Sequence, residues 1–262
     1  MGTGPAEMSP VDRFPVQRVT REGRTDIEDS IVRELPLTIL LNNKELVTML
    51  CSPSDLDSLA VGFLFSEGLL NNRDEIRGIA VDGRRGVVRV KTSTEPDSSL
   101  LFKRLITTGC GRGASFYTDA RGLPKVESRL VISADSVFRL VHDFQHHSLI
   151  YRTTGGVHSA ALCDTDNILC SAEDIGRHNA IDKIFGHCIL NNIPTDDRII
   201  ITSGRVSSEI MLKVARGKVP VLISVSAPTD AGVNLANTVG ITLVGFVRGG
   251  RMNVYAHGWR IV

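Results

Sequence analysis

Residues 198–246 read RIIITSGRVSSEIMLKVARGKVPVLISVSAPTDAGVNLANTVGITLVGF. Three apolar segments that predict buried strands alternate in this stretch with two segments whose apolar residues recur at helical spacing. The strands are predicted at 198–202, 220–225 and 241–246, and the helices at 207–216 and 230–239. Strands that alternate with helices through short loops are typical of a parallel or mixed sheet layered with helices. The stretch therefore predicts an α/β core.

The residues before this core extend the same pattern. A capped helix is predicted from Ser133 to about His147, followed by a strand pair at 157–163 and 168–172. A further helix is predicted from about Arg177 to Leu190. Together with the core, these elements predict an α/β domain over residues 131–262.

The N-terminal half reads as a smaller α+β domain. Strands at 30–41 and 45–51 are predicted to pair, and a second hairpin is predicted at 76–81 and 86–90. Between them, Ser52-Pro53-Ser54-Asp55 predicts the start of a helix that ends near Gly68. This domain is predicted to span residues 26–130 and to end in a loop that contains a cysteine. Residues 1–25 are rich in glycine, proline and charge, and they predict a flexible tail.

The overall composition argues against several classes of protein. The 262 residues include 30 Lys and Arg against 29 Asp and Glu, so the net charge gives no reason to expect nucleic acid or a membrane as partner. No apolar run is long enough for a membrane helix. Five cysteines, an odd number at low density, predict a reduced protein of the cytoplasm. The absence of Cys-x-x-Cys predicts no metal site, and no phosphate-loop or Gly-x-Gly-x-x-Gly motif occurs.

One cysteine lies in a glycine-rich segment. Residues 107–115 read Thr-Thr-Gly-Cys-Gly-Arg-Gly-Ala-Ser, with three glycines within five positions. Such a segment favours a loop that exposes its side chains, so the thiol of Cys110 is predicted to be accessible. The nearby Arg112 favours the thiolate, which is the nucleophilic form. The plainer alternative is an inert cysteine in a surface loop.

Three other loops contain residue types that bind anions. The loop 202–208 contains Arg205, whose guanidinium suits phosphate. The segment 173–183 opens a helix and contains His178, a candidate phosphate ligand or acid/base group. The segment Phe246-Val247-Arg248-Gly249-Gly250-Arg251 follows the last strand of the core and suits a pyrophosphate. The plainer alternatives are a capped helix start, a structural histidine and a solvated turn.

Seven blocks of sequence together resemble the FdhD family, the formate dehydrogenase accessory sulfurtransferases. In chain order they are residues 34–37, 51–56 with 60–68, the cysteine loop, 154–160, 173–180, 202–205 and 245–251. Two of them read Thr-Gly-Gly-Val-His-Ser-Ala and Glu-Asp-Ile-Gly-Arg-His-Asn-Ala. The resemblance runs from about Ile31 to Tyr255.

The resemblance implies a cytoplasmic, dimeric sulfur carrier. Such proteins accept persulfide sulfur from a cysteine desulfurase and pass it to the molybdenum bis-guanine-dinucleotide cofactor before that cofactor enters formate dehydrogenase. Carried over to this chain, Cys110 holds the persulfide and residues 246–251 contact the cofactor, with Arg205 and His178 as further candidate ligands. The family core is similar to the cytidine deaminase fold, but the zinc signature of the deaminases is missing here, which argues against deamination.

One position departs from the family pattern. Many members have a second cysteine three residues after the first, and this chain has Gly113 there. Cys110 is therefore expected to act alone. Two alternative functions stay open. One is a cysteine-dependent hydrolase with Cys110 as nucleophile and His158 or His178 as base. The other is a chaperone that binds the cofactor without transferring sulfur.

Overall fold

The computed structural model describes residues 8–93, 104–106, 114–116 and 125–262. The helices in these ranges are Leu56–Ser66 (α1), Ala134–His147 (α2), Leu149–Thr154 (α3), Arg177–Leu190 (α4), Ser208–Arg216 (α5) and Asp230–Val239 (α6). The strands are Val11–Thr20 (β1), Gly23–Val32 (β2), Leu35–Leu41 (β3), Lys44–Cys51 (β4), Ile76–Asp82 (β5), Val87–Thr92 (β6), Arg104–Ile106 (β7), Ala114–Phe116 (β8), His158–Cys163 (β9), Ile168–Asp174 (β10), Ile199–Thr202 (β11), Val221–Ser224 (β12), Thr242–Arg248 (β13) and Arg251–Ala256 (β14). The protein is therefore of mixed α/β class.

The C-terminal half is built on a six-stranded mixed sheet in the order β10-β9-β11-β12-β13-β14. Strands β11, β12 and β13 are parallel, because helices α5 and α6 carry the chain back between them. Strands β9, β10 and β14 run antiparallel to their neighbours. This confirms the strands and helices predicted for residues 198–246.

Helices cover both faces of this sheet. On one face, α2 packs Leu140 and Phe144 against residues such as Ile201. On the other face, α4, α5 and α6 pack residues such as Ile181 and Met211 against the alternate side chains of the same strands. The cytidine deaminase-like layering expected for residues 131–262 stays a prediction.

The N-terminal half contains a second sheet in the order β4-β3-β6-β5. Helix α1 packs on it and has nine buried residues out of 11. Its other side lies against α4, where the backbones come very close. A Cβ on Gly62 would clash with the backbone of Asp182, and one on Gly186 would clash with the backbone of Ser58. The α1–α4 contact therefore joins the two halves, and a domain boundary near residue 130 stays a prediction.

The flexible tail predicted for residues 1–25 is wrong over residues 11–25. Strand β1 and strand β2 form an antiparallel hairpin with Thr20 opposite Gly23. The predicted strand at 30–41 is correspondingly divided into the end of β2 and all of β3. Both faces of the hairpin carry charged side chains, so the alternation of polar and apolar residues that marks a half-buried strand is missing from its sequence.

Two further features complete the fold. Strands β7 and β8 form a short antiparallel pair in which Ile106 lies opposite Ala114. Within the described ranges, no helix is long and apolar enough to cross a membrane.

Candidate functional site

Polar side chains meet at one edge of the six-stranded sheet. Thr202, the last residue of β11, pairs with Ser224, the last residue of β12, and β9 begins at the same edge with His158 opposite Asp174. Around this edge lie His158, Arg177, His178, Ser203 and Arg205, which we call the strand-end site. Ligands of open α/β sheets bind at the carboxyl ends of the strands, so this edge is where a ligand is expected.

His158 and Ser203 form the centre of the strand-end site. The backbone N–H of Ser159 donates a hydrogen bond of 2.9 Å to Ser203 Oγ, and His158 Nδ1 lies 3.3 Å from the same oxygen. Burial lowers the pKa of His158, and the positive charges of Arg177 and Arg205 lower it further. The imidazole is therefore neutral at pH 7.

His178, the second residue of α4, is also neutral. Burial is the main reason why its pKa falls to about 3, and the charges of Lys213 and Arg177 add to the effect. Its Nε2 lies 3.5 Å from a carboxylate oxygen of Glu209, and it is buried without a hydrogen-bond partner among the described residues. Burial in turn raises the pKa of Glu209. The site thus holds a buried imidazole nitrogen that nothing in the described part of the chain satisfies.

Two arginines supply the positive charge of the strand-end site. Arg177 begins α4, and its Nε is buried with no hydrogen-bond partner in the described part of the chain. Gly204 lets the loop after β11 pass over it, since a Cβ at that position would lie 2.8 Å from Arg177 Cβ. Arg205 is exposed at the same loop. Two guanidinium groups beside two neutral imidazoles favour an anionic ligand.

A buried ion pair holds the start of α4 in place. Lys183 Nζ lies 2.8 Å from Asp174, and both side chains are fully buried. Asp174 also accepts hydrogen bonds from Gly176 N at 2.9 Å, from Asn179 Nδ2 at 2.9 Å and from Ser52 N at 3.0 Å. Because Ser52 follows β4, the network ties the strand-end site to the N-terminal half. Sequence reasoning missed this role, because Asp174 and Lys183 lie in the segment 173–183, whose many ionisable groups hide a buried pair.

The segment 246–251 forms the hairpin between β13 and β14. Gly249 and Gly250 have φ of 57° and 72°, which are the left-handed angles of a two-residue type I′ turn. Arg248 and Arg251 face each other across it, and both are exposed. The Arg248 guanidinium lies 5.6 Å from the Phe246 ring centroid. The solvated-turn interpretation is therefore correct for the backbone, and the arginines project from it.

The side chain of Val247 is buried in the core under α2, which leaves only its main chain for a ligand. The hairpin leaves the sheet at the same edge as the strand-end site, because β13 is parallel to β11 and β12. It stands two strands away from β11, about 10 Å. The structure thus brings His158, His178 and Arg205 together and places residues 246–251 beside them.

Cys110 and Gly113 lie outside the described residues, so the predicted role of Cys110 stays a prediction. Two of the described cysteines are poor nucleophiles by contrast. Cys51 and Cys163 are buried, and burial is the main reason why the pKa of each thiol rises to about 12. Cys170 and Cys188 hydrogen-bond to each other, which lowers the pKa of Cys170 and raises that of Cys188.

Comparison with known proteins gives a consistent picture. The model of the FdhD/NarQ family matches residues 32–262. A curated relative named "Sulfur carrier protein FdhD" from Bacillus pumilus is 45% identical over 246 residues, which are 92% of this chain and 94% of the relative. A relative of the same name from Bacillus subtilis is 43% identical over 242 residues, 90% of this chain and 91% of its own. A crystal structure described as a formate dehydrogenase accessory protein from Desulfotalea psychrophila is 26% identical, covers 97% of this chain and 100% of its own, and has a TM-score of 0.80.

Proposed function

The chain belongs to the FdhD/NarQ family, and from that premise we propose that it is a sulfur carrier that serves formate dehydrogenase. Cys110 accepts sulfur from the persulfide of a cysteine desulfurase and passes it to the molybdenum bis(molybdopterin guanine dinucleotide) cofactor. The cofactor is the substrate here, and it enters formate dehydrogenase afterwards. The observation that carries the proposal is the identity of 45% to a curated sulfur carrier over nine-tenths of the chain.

The loading step is a thiol–persulfide exchange. The Cys110 thiolate attacks the terminal sulfur of the desulfurase persulfide, the S–S bond breaks, and the desulfurase cysteine leaves as a thiolate. Cys110 then carries the persulfide, which makes the protein a sulfurtransferase. The burial of Cys51 and Cys163 supports this choice of thiol, since their raised pKa values leave little thiolate.

The strand-end site and the β13–β14 hairpin bind the cofactor. The guanine dinucleotides of the cofactor carry pyrophosphates, which suit the guanidinium groups of Arg205, Arg248 and Arg251. The orphaned nitrogen of His178 supplies a further hydrogen bond. Like charges directly opposite each other destabilise a hairpin, so the Arg248–Arg251 pair is best explained by an anion that binds between them.

We further propose that the carrier is a cytoplasmic homodimer and that residues 131–262 have cytidine deaminase-like layering. A reducing compartment suits the free cysteines of the described ranges. The layering is supported by the mixed six-stranded sheet with helices on both faces.

The test is the intact mass of the protein after incubation with a cysteine desulfurase and free cysteine under non-reducing conditions. We expect a gain of one reducible sulfur atom that maps to Cys110 and is lost in Cys110→Ala. Cys170→Ala is the matched control and should keep the gain, since Cys170 is the least buried of the four described cysteines. A gain that survives in Cys110→Ala would overturn the assignment.

The same measurement separates the alternatives. If no sulfur is gained while guanosine diphosphate still binds, the protein is a chaperone for the cofactor without sulfur transfer. The charges of Arg177 and Arg205 at the strand-end site support this second candidate, because they can bind an anion whether or not sulfur is transferred. A stable acyl adduct on Cys110 would instead indicate the cysteine-dependent hydrolase, with His158 or His178 as base.

A further inference from the structure

Two histidines lie one helical turn apart on the solvent-facing side of α2. Residues 142–146 read His-Asp-Phe-Gln-His, so His142 and His146 have the i, i+4 spacing that places side chains on the same face of a helix. The neighbouring Val141 and Phe144 are buried in the core, whereas both histidines are exposed. The ring centroids of the two histidines lie 4.3 Å apart, and the ring planes make an angle of 37°. The two imidazoles are therefore close neighbours that solvent can reach.

The Nδ1 atom of each ring has a hydrogen-bond partner on the helix. His146 Nδ1 lies 2.8 Å from the backbone oxygen of His142, and His142 Nδ1 lies 3.3 Å from a carboxylate oxygen of Asp143. Because a carbonyl or carboxylate oxygen can only accept, each neutral ring must carry its proton on Nδ1. The lone pair of each ring is consequently on Nε2.

This arrangement is typical of histidines that bind a metal ion. A metal-bound histidine usually donates its other ring N–H to a carboxylate or a backbone carbonyl, which fixes the tautomer and orients the ring. Two nitrogens that bind one ion at about 2.0–2.1 Å lie about 3.3 Å apart in tetrahedral geometry. The last torsion of a histidine side chain is soft, so two exposed rings with centroids 4.3 Å apart can bring their Nε2 atoms to that separation. Two histidines at this spacing on one helix also form the ligand pair of helical zinc motifs.

The charges around the two rings allow a cation to bind. His146 lies in the last turn of α2, where the carbonyl end of the helix dipole favours positive charge. Asp143 adds a negative charge, and the positive charge of Arg139 is paired with Asp166 at 3.0 Å. Arg152 acts in the opposite direction, because its guanidinium donates to the backbone oxygen of His146 at 3.3 Å. A bound ion would therefore gain mainly from the two imidazole nitrogens.

We propose that His142 and His146 bind a divalent transition-metal ion through their Nε2 atoms. Imidazole suits Cu²⁺, Ni²⁺ and Zn²⁺, and Cu²⁺ has the highest affinity for a given site of this kind. Within the described ranges, no group of three or more His, Cys, Asp or Glu side chains is placed to hold a metal ion, so water or small ligands fill the remaining positions. The site is therefore open, unlike a closed structural zinc site. It involves neither Cys110 nor the strand-end site, and it does not rest on the proposed sulfur carrier.

The first experiment is titration calorimetry of the full chain with Ni²⁺, which imidazole binds well and for which thiolates compete less than for Zn²⁺. We expect the affinity to fall at least about tenfold in His142→Gln and in His146→Gln, because either change leaves a single ligand. His147→Gln is the matched control and should keep the affinity, since an exposed residue directly after His146 points away from the pair. Cys110→Ala should also bind Ni²⁺ as the wild type does.

The second experiment is thermal unfolding with and without excess Ni²⁺. An ion that bridges one turn of α2 binds the folded protein more tightly than the unfolded chain, so it should raise the midpoint of the wild type. The midpoint of His142→Gln should not rise. Wild-type affinity in His142→Gln, or a loss in His147→Gln or Cys110→Ala as large as that in His142→Gln, would overturn the inference. Persulfide formation on Cys110 is measured separately, so a failure of the sulfur carrier would leave this result unchanged.

Discussion

Arg248 and Arg251 are the residues whose arrangement depends most clearly on a ligand. They stand opposite each other across Gly249 and Gly250, exposed and of the same charge. Without an anion this pair costs stability, and with one it supplies two charge-assisted hydrogen-bond donors. The two glycines explain why the pair is possible at all, since a side chain at either position would strain the left-handed backbone.

We expect Arg248→Ala and Arg251→Ala each to weaken the binding of guanosine diphosphate about tenfold or more, because a hydrogen bond to a charged group contributes about 1.5–3 kcal/mol. Titration calorimetry at low and high salt measures this. Arg89→Ala removes an exposed arginine of β6 and serves as the control. Equal losses in all three variants would mean that the affinity reflects overall charge rather than this hairpin.

His178 makes the stability of the fold depend on pH. Its pKa is about 3 in the folded protein, mainly because of burial, and about 6.5 in the unfolded chain. Between these values the unfolded state binds a proton that the folded state does not, so the free energy of unfolding falls as the pH falls from 6.5 toward 3. The contribution is fully present above pH 6.5.

We therefore expect the wild type to lose up to about 1.4 kcal/mol of stability per pH unit in that window through this one group. His178→Asn cannot take up the proton and should have a flatter profile, whereas Glu209 remains in both proteins. Urea unfolding at a series of pH values provides the comparison. Parallel profiles for the two proteins would contradict the assignment of a neutral, buried imidazole.

At the residue scale, the sequence indicated the site only in part. The types of Arg205 and His178 and their positions after strands or at a helix start were enough to predict anion binding. The contact between His158 and Ser203 could not be predicted, because it joins residues 45 apart in the chain. The burial of Arg177 Nε could not be predicted from the sequence either, since it depends on how Gly204 packs.

Among the elements, α1 and α4 make the closest contact. Their backbones touch at Gly62 and Gly186, and any side chain there would push the helices apart. Both helices also have apolar surface on more than one side, because each lies between the other helix and a sheet. Helical spacing predicted both elements, but it did not predict that they pack against each other, since glycine carries no hydrophobic signal.

Gly62→Ala should lower the free energy of unfolding by about 1–3 kcal/mol, because the new Cβ would clash with the carbonyl group of Asp182. Gly78→Ala is the matched control, since a Cβ at Gly78 would meet nothing within 4 Å. Urea denaturation measures both. A loss in Gly78→Ala as large as that in Gly62→Ala would show that the helix contact is not the cause.

Across the whole molecule, the Asp174–Lys183 pair connects parts that are distant in sequence. Lys183 also donates to Glu173 O at 3.0 Å and to Ser54 Oγ at 3.2 Å, so one ammonium group bonds to both halves of the chain. Ser52 N and the side chain of Asn179, which donates to Leu50 O at 2.9 Å, complete the connection. Such a pair fixes geometry, because either charge left alone in the interior would be costly.

We expect Lys183→Met to destabilise the protein by about 3–5 kcal/mol, because it keeps the volume and leaves Asp174 unpaired. The double variant Lys183→Met with Asp174→Asn should recover part of the loss, since the buried charge is then removed. Lys91→Met, at an exposed position of β6, is the control. A double variant no more stable than the single one would indicate that packing, rather than charge, explains the effect.

The arrangement of the sheets was less predictable than their strands. The β3–β4 and β5–β6 hairpins follow from turn residues and alternation, whereas the parallel pairing of β3 with β6 joins residues about 50 apart and leaves no local pattern. The β1–β2 hairpin is local, but the sequence did not predict it either, because its strands lack the alternation of polar and apolar residues that marks a half-buried strand. Local spacing specifies an element, and only packing decides its neighbours.

The burial of α1 against α4 also determines how the chain folds as it is made. Helix α1 is complete at Ser66, but the helix that covers it ends at Leu190. At a synthesis rate of about 5–20 residues per second, its apolar side stays uncovered for roughly 6–25 seconds on the ribosome. We therefore expect this side of α1 to stay exposed to the cytosol or to other proteins until the C-terminal half has emerged.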